Sequence, residues 1–278
     1  MAEFILEARD VFFDYPDGTS ALKGVSLGIE KGKKVAVLGP NGAGKSTLFL
    51  HFNGVYRPKS GKVFFSGSEV RYNHSSMMAL RKNVGIVFQD PDAQLFSASV
   101  YQEISFGPLN LGLNEEQVKE RVNRAMAATG ITELGEKPTH LLSYGEKKLV
   151  SIADILAMEP SVIICDEPAA WLDPGHTARV LELFDRINRN GTTVVMSTHD
   201  VDMAYSWSEY VYVMHGGKIA GEGTPQAVFQ DDGLLKLAGL QKPLLVDLSE
   251  HMRRKGLLAE NSGLPRSRSE FLQLLDSR

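Results

Sequence analysis

Gly39-Pro40-Asn41-Gly42-Ala43-Gly44-Lys45-Ser46-Thr47 is a run suited to holding phosphate. It fits G-x-x-x-x-G-K-[ST] at every fixed position and sits between the apolar run Val35–Leu38 and the helix-compatible run Leu48–Phe52. Glycines at this spacing let successive backbone N–H groups turn inward around an anion. Lys45 supplies a point charge for the outer phosphates, and the Ser46 hydroxyl can ligate magnesium. An ordinary glycine turn ahead of a helix is the bland alternative, and the full match in a strand–loop–helix context argues against it. The pattern implies a bound nucleoside triphosphate.

A second candidate lies far downstream, where Val162-Ile163-Ile164-Cys165 runs into Asp166-Glu167. A buried strand that ends in acids points them into the crevice at the carboxyl edge of a sheet, the edge where a phosphate cradle also lies. Asp166 would hold magnesium directly or through water. Glu167, one residue on, is placed to polarise a water for in-line attack on a γ-phosphate. Alone, two acids after a strand also fit a solvated strand end; beside a complete phosphate cradle they point to hydrolysis.

The elements that must position these groups are legible in outline. Phe4–Val11, Val25–Ile29 and Val35–Leu38 read as strands separated by turns at Asp17-Gly18 and Lys31-Gly32, and Gly61–Phe65 and Val84–Phe88 add two more. Asn114-Glu115-Glu116-Gln117 caps a helix carrying Val118, Val122 and Met126 at helical spacing. Ser143 opens another, with Leu149, Ile152, Ala153 and Leu156 on one face. Residues ~90–160 are therefore expected to be mainly helical. Val162–Cys165 and Thr192–Ser197 lack alternation, as strands covered on both faces do. Between them, Gly175–Asn190 reads as a helix with Ala178, Leu181, Phe184 and Ile187 inward. Tyr210–His215 and Lys218–Glu222 flank Gly216-Gly217 as a hairpin, and Thr224-Pro225 starts a helix. Strands alternating with helices around the cradle predict an α/β fold with a predominantly parallel sheet. Beyond Gln230, Leu244, Leu245, Leu248 and Met252 recur at helical spacing, and Ser269-Glu270-Phe271-Leu272 opens a last amphipathic stretch, so the tail is expected to be a packing or dimer-contact element.

The chain has 278 residues, 43% hydrophobic and 23% charged, which describes a folded protein rather than a disordered one. Thirty basic against 34 acidic residues give a net charge of −4, which offers no general basis for binding nucleic acid. Cys165 is the sole cysteine, so no intrachain disulfide can form and a reducing compartment fits. No apolar run reaches the ~18 residues of a spanning helix, and Glu3, Glu7, Arg9 and Asp10 interrupt the start in a way unlike a signal peptide. The seven histidines are scattered without ligand spacing, so most read as surface or core residues.

Over residues 3–230 the chain resembles the nucleotide-binding subunit of an ATP-binding-cassette transporter, with the matching residues in the family's order. Tyr15 matches the aromatic that stacks on adenine, and Gln89 the glutamine that senses magnesium and the membrane partner. Leu142-Ser143-Tyr144-Gly145-Glu146 matches the signature loop, Ala170-Trp171-Leu172-Asp173 the loop after the catalytic acid, and His199 the switch histidine. The resemblance implies a P-loop NTPase core with a mainly parallel sheet, an N-terminal antiparallel β subdomain, an inserted helical subdomain at about 90–160, and a C-terminal helical extension over 231–278. It implies ATP and Mg2+ as cofactors, with Gly39 to Thr47, Tyr15 and Gln89 around the nucleotide and Ser46, Gln89 and Asp166 at the metal. Glu167 and His199 would be catalytic. Ser143, Gly145 and Asp173 would serve a second cassette subunit, identical or paralogous, placed head to tail. Integral membrane subunits would be the remaining partners, holding the chain at the cytoplasmic face of the membrane, with no nucleic acid involved.

A narrower resemblance rests on Gln89-Asp90-Pro91-Asp92-Ala93-Gln94-Leu95-Phe96, Phe106-Gly107-Pro108-Leu109-Asn110-Leu111-Gly112 and Leu142-Ser143-Tyr144-Gly145-Glu146-Lys147-Lys148. These are similar to the energy-coupling-factor importers, in particular their cobalt and nickel branch. Tyr144, where most of the superfamily has glycine, and Ser197-Thr198-His199-Asp200-Val201-Asp202 favour that branch, while vitamin importers share much of the pattern. Departures are Glu146 for the usual glutamine, Leu149 for arginine, Ala169 for threonine and Trp171 for a small residue. A soluble cassette ATPase and a regulatory cassette that binds ATP without turnover are the competing readings. The first usually carries a coiled-coil insertion or two cassettes, and Glu167 and His199 argue against the second.

Overall fold

Apolar runs with and without alternation separate into two different sheets. The computed structural model describes residues 3–259 and 262–276. Strands β1 (Phe4–Asp14), β2 (Ser20–Glu30), β4 (Ser60–Phe65) and β5 (Ser68–Glu69) form an antiparallel sheet in the order β2-β1-β4-β5. Strands β3 (Lys34–Leu38), β6 (Val84–Val87), β7 (Val162–Cys165), β8 (Thr193–Thr198), β9 (Tyr210–His215) and β10 (Lys218–Gly223) form a six-stranded sheet ordered β10-β9-β3-β8-β7-β6. Its pairings are parallel except for the β9–β10 hairpin. Strands β6, β7 and β8 are buried at every residue, which is why their sequences show no inside–outside alternation.

Register decides where the chemistry emerges. Leu38 pairs with Thr198, and Val87 with Cys165, so Gly39, Phe88, Asp166 and His199 all leave the sheet at one edge. This is the carboxyl edge of the parallel strands, where loops have no sheet partners and can form a crevice.

Helices cover both sheets: α1 (Lys45–Phe52), α2 (His74–Asn83), α3 (Val100–Asn110), α4 (Glu115–Thr129), α5 (Tyr144–Ala157), α6 (Pro174–Arg189), α7 (Val201–Trp207), α8 (Pro225–Gln230), α9 (Asp232–Ala238), α10 (Leu244–Arg254) and α11 (Arg268–Asp276). Between β6 and β7 the chain is helical, and α4 opens on the Asn114–Gln117 capping box and buries Val118, Val122 and Met126. Helix α5 is buried on most sides: Leu149, Ile152 and Ala153 are buried, as are Val150 and Ile155, while Leu156 is half-buried. The core of this region joins Val100, Ile104, Val122, Ile152 and Ile163 in one cluster.

The expected inner face of α6 needs correction. Ala178 is exposed and Leu181 only half-buried, whereas Val180, Leu183 and Phe184 are buried. In the tail, α10 buries Val246 and Ser249 and turns Leu244 and Leu248 to solvent. Arg266 fastens the tail to the end of α7, donating to the carbonyls of Tyr205 (2.9 Å), Ser206 (3.2 Å) and Ser208. Positions 260–261 and 277–278 of the expected extension lie outside the described residues. Among the described residues no helix is long and apolar enough to cross a membrane.

Candidate functional site

The loop from β3 into α1 forms the floor of a hollow of about 390 Å³. Its lining takes Asn41 to Thr47 from this loop and the start of α1, Tyr15 from just past β1, Ala21 from β2, and Gln89, Asp166 and Glu167 from the segments that follow β6 and β7. Glycine is required at two points. A side chain at Gly39 (φ 147°) would place Cβ 2.2 Å from the Met214 carbonyl oxygen, and one at Gly44 (φ 102°) would place it 2.7 Å from that of Ala21. Gly44 is also the cap residue of α1, and no side chain satisfies the first N–H groups of that helix, which leaves them for an anion.

Lys45 is buried, and its Nζ donates to the carbonyls of Gly39 (2.7 Å) and Pro40 (3.2 Å). Those two residues therefore hold the lysine and do not line the hollow. Burial pulls the Lys45 ammonium below the ordinary lysine range, and the Glu167 and Asp166 carboxylates oppose that shift. Ser46 is exposed in the hollow. Tyr15 lies at its mouth, with its hydroxyl 2.8 Å from Thr47 Oγ1 and its ring edge-on to Phe13 and Tyr56.

Opposite the lysine, Asp166 and Glu167 leave β7 nearly buried, each 7% exposed. Glu167 has φ 46°, a left-handed conformation unusual for a side chain with a Cβ. Ser197 at the end of β8 holds this turn: its Oγ accepts the Glu167 N–H at 2.9 Å and donates to Asp166 Oδ1. Glu167 Oε2 lies 3.0 Å from His199 Nδ1, and the histidine ring is otherwise largely exposed. A second hollow of about 580 Å³, lined by Trp171, Ala169, Thr198 and His199, shares Asn41, Gln89 and Glu167 with the first. Trp171 is 81% exposed with φ 65°.

The remaining expected residues gather elsewhere in the chain. Neither Ser143, Gly145 nor Asp173 lines the hollow around Lys45. Ser143 caps α5, its Oγ accepting the Glu146 N–H (3.3 Å) while Glu146 Oε2 accepts the Ser143 N–H (2.6 Å). Lys137 Nζ reaches the same carboxylate at 3.1 Å, and with the Ser143 amide it keeps the Glu146 carboxyl below the usual range. Asp173 caps α6 and binds the His176 backbone (2.9 Å) and ring (2.5 Å). A Cβ on Gly145 would lie 3.3 Å from the ring of His176, so signature and post-acid loops meet through that histidine. Sequence reasoning gave Ser197, His176 and Lys148 no role of their own; for Ser197 the available signal was a hydroxyl directly after Met196, which pairs with Cys165 and so sets Ser197 level with Asp166.

Comparison with known proteins bears on this arrangement. The family described as ABC transporter matches residues 22–170. The chain is 48% identical over 252 residues to the energy-coupling factor transporter ATP-binding protein EcfA of Methanocaldococcus jannaschii, covering 91% of this chain and 90% of that one. The chain belongs to the ABC transporter ATPases. Within that family it is an energy-coupling-factor ATPase subunit. Among solved structures, cbiO1 from Clostridium perfringens, described as part of the ABC transporter complex cbiONQ, superposes with a TM-score of 0.76 at 42% identity, covering 91% of this chain and 99% of that one. A dimeric post-hydrolysis cassette, MJ0796 bound to ADP and Pi, superposes with a TM-score of 0.73 at 25% identity, covering 79% and 98%. The chain thus binds ATP and is an ATPase of an ABC importer.

Proposed function

We propose that this ATPase energises import of cobalt ions, working as one of two cassettes docked on integral membrane subunits at the cytoplasmic face of the membrane. Likeness to cbiO1, described as part of cbiONQ, and the resemblance carried by Tyr144 and the Gln89–Phe96 segment support this choice of solute. Residues 3–230 would form the cassette, with its helical part at about 90–160, and 231–278 the C-terminal extension. The observation that carries the two-chain mechanism is a separation. The N-terminus of α5, with Ser143 and Gly145, takes no part in the hollow holding Lys45, which supports reading it as a seat for an anion held by another chain.

In this reading ATP lies between the cradle of one chain and Ser143 and Gly145 of the other. Tyr15 packs on adenine, and Lys45 with the N–H groups of α1 holds the outer phosphates. Ser46, Gln89 and Asp166 line one hollow and offer only oxygen donors, which suits Mg2+. When bound, the ion would neutralise phosphate charge. Glu167 orients the attacking water and accepts its proton, while His199, fixed through Nδ1 by Glu167, directs Nε2 to the γ-phosphate. Asp173 contacts the opposite chain. Cleavage removes the phosphate that spans the seam, and the two chains separate.

Purification from membranes with attached subunits, then reconstitution and ATP-dependent uptake of labelled cobalt, tests the proposal. Uptake of nickel or a vitamin in place of cobalt would move the chain to another importer of the group. Absence of any membrane subunit would favour a soluble cassette ATPase.

A further inference from the structure

Lys148 is a cation sealed in the protein whose direct partners are backbone carbonyls. It is 0% exposed and forms no ion pair among the described residues, and burial holds its ammonium below the ordinary lysine range against the more distant charges of Asp166, Asp90 and Glu167. Its Nζ donates instead to two backbone carbonyls, Phe88 at 2.8 Å and Gln89 at 2.9 Å. The Tyr144 hydroxyl donates to the same Gln89 carbonyl at 3.1 Å. An apolar side chain of similar length would avoid desolvating a charge, so this arrangement is not what stability alone favours.

The same helix is tied to the same loop at two further points. Lys147 Nζ meets Asp92 Oδ1 at 2.6 Å, and Gln94 bridges the Phe88 N–H (3.1 Å) to the Ser151 carbonyl (3.1 Å). The first two turns of α5 and the segment 88–94 are thereby pinned as one body. One end of that body carries the Gln89 side chain into the hollow around Lys45, and the other carries Ser143.

We propose that Lys148, assisted by Tyr144, is a positioning residue that couples the two ATP sites. It transmits the placement of Gln89 at a chain's own nucleotide to the placement of Ser143 at the partner's. This rests on the two-chain reading above. A lysine that merely satisfied two carbonyls would affect folding and leave communication between sites untouched.

The test uses Lys148→Met and Tyr144→Phe, each alone and combined with Glu167→Gln to slow hydrolysis. Melting temperature, ADP affinity of the single chain, ATP dependence of dimerisation by light scattering, and the Hill coefficient of turnover are read. Lys148→Met is expected to raise the ATP concentration for half-dimerisation about tenfold, the scale of an ordinary coupling energy, with Tyr144→Phe giving a smaller rise. The Hill coefficient should fall toward one while ADP affinity stays within about twofold. Should Lys148→Met fail to fold, Tyr144→Phe decides, since it removes one hydroxyl from a partly exposed ring. Folded variants with wild-type Hill coefficient and dimerisation overturn the proposal. If Glu167→Gln alone stays monomeric in ATP, the two-chain reading itself fails and the coupling falls with it.

Discussion

Ser197→Ala removes one oxygen and should disturb both fold and turnover. Ser197 is 0% exposed and serves two partners at once, the Glu167 amide at 2.9 Å and the Asp166 carboxylate. Leaving the amide unsatisfied in a buried position costs about 1–3 kcal/mol, and a hydrogen bond to a charged group contributes about 1.5–3 kcal/mol. With partial relaxation, and water admitted beside Asp166, a loss of roughly 2–4 kcal/mol is expected. At about 2–4 °C per kcal/mol for a chain of this size, melting should drop by roughly 4–16 °C in calorimetry. The Glu167 backbone at φ 46° is also released from the bond that holds it, so its carboxylate would shift. A displacement near 1 Å at a catalytic group costs about a hundredfold in rate, so kcat for ATP should fall by that order with KM less affected. A variant that melts within about 1 °C of the parent and turns over within about twofold would refute the assignment of Ser197 as the clamp on the two acids.

Glu167→Gln should accumulate an ATP-bound dimer, and the chain carries its own reporter. Trp171 is 81% exposed while Trp207 is 5% exposed, so closure of the seam over Trp171 should shift emission to the blue, and Trp171→Phe should abolish the shift; no shift at saturating ATP would count against the seam. Lys45→Ala should weaken ATP binding by about a hundredfold or more in titration calorimetry, since it removes the cation proposed to hold the outer phosphates; unchanged affinity would remove the cradle assignment. Burial raises the Asp154 carboxyl from 3.8 to about 7, against the Gln94 amide that lowers it. The folded chain then holds a proton that the unfolded chain releases, so stability should fall as pH rises from 3.8 to about 7 and stay reduced above. Asp154→Asn should flatten that segment of a melting-versus-pH curve, and an unchanged slope would exclude Asp154 as its source.

What was legible in the sequence is what local spacing encodes. The cradle, the capping boxes at Asn114 and Ser143, and the unalternating strands each depend on neighbours a few residues away, and the structure forms all of them. The face of α6 was misread for a geometric reason. Ala178, Leu181, Phe184 and Ile187 step by three residues, and at 100° per residue the first and last lie on opposite sides of a helix. The buried stripe instead follows Val180, Leu183 and Phe184. Helix α2 gave almost no signal because only Leu80 is buried along it. The periodic leucines of α10 predicted a helix, but its buried side is Val246 and Ser249, a face too short to stand out. The roles of Ser197 and Lys148 could not be read because their partners lie 30 and about 60 positions away, and no local pattern marks such a meeting.

The Lys45 ammonium rests on the carbonyls of Gly39 and Pro40, so the residues that open the loop also aim its cation. A side chain at Gly39, which would meet the Met214 carbonyl oxygen, would therefore displace the charge together with the turn.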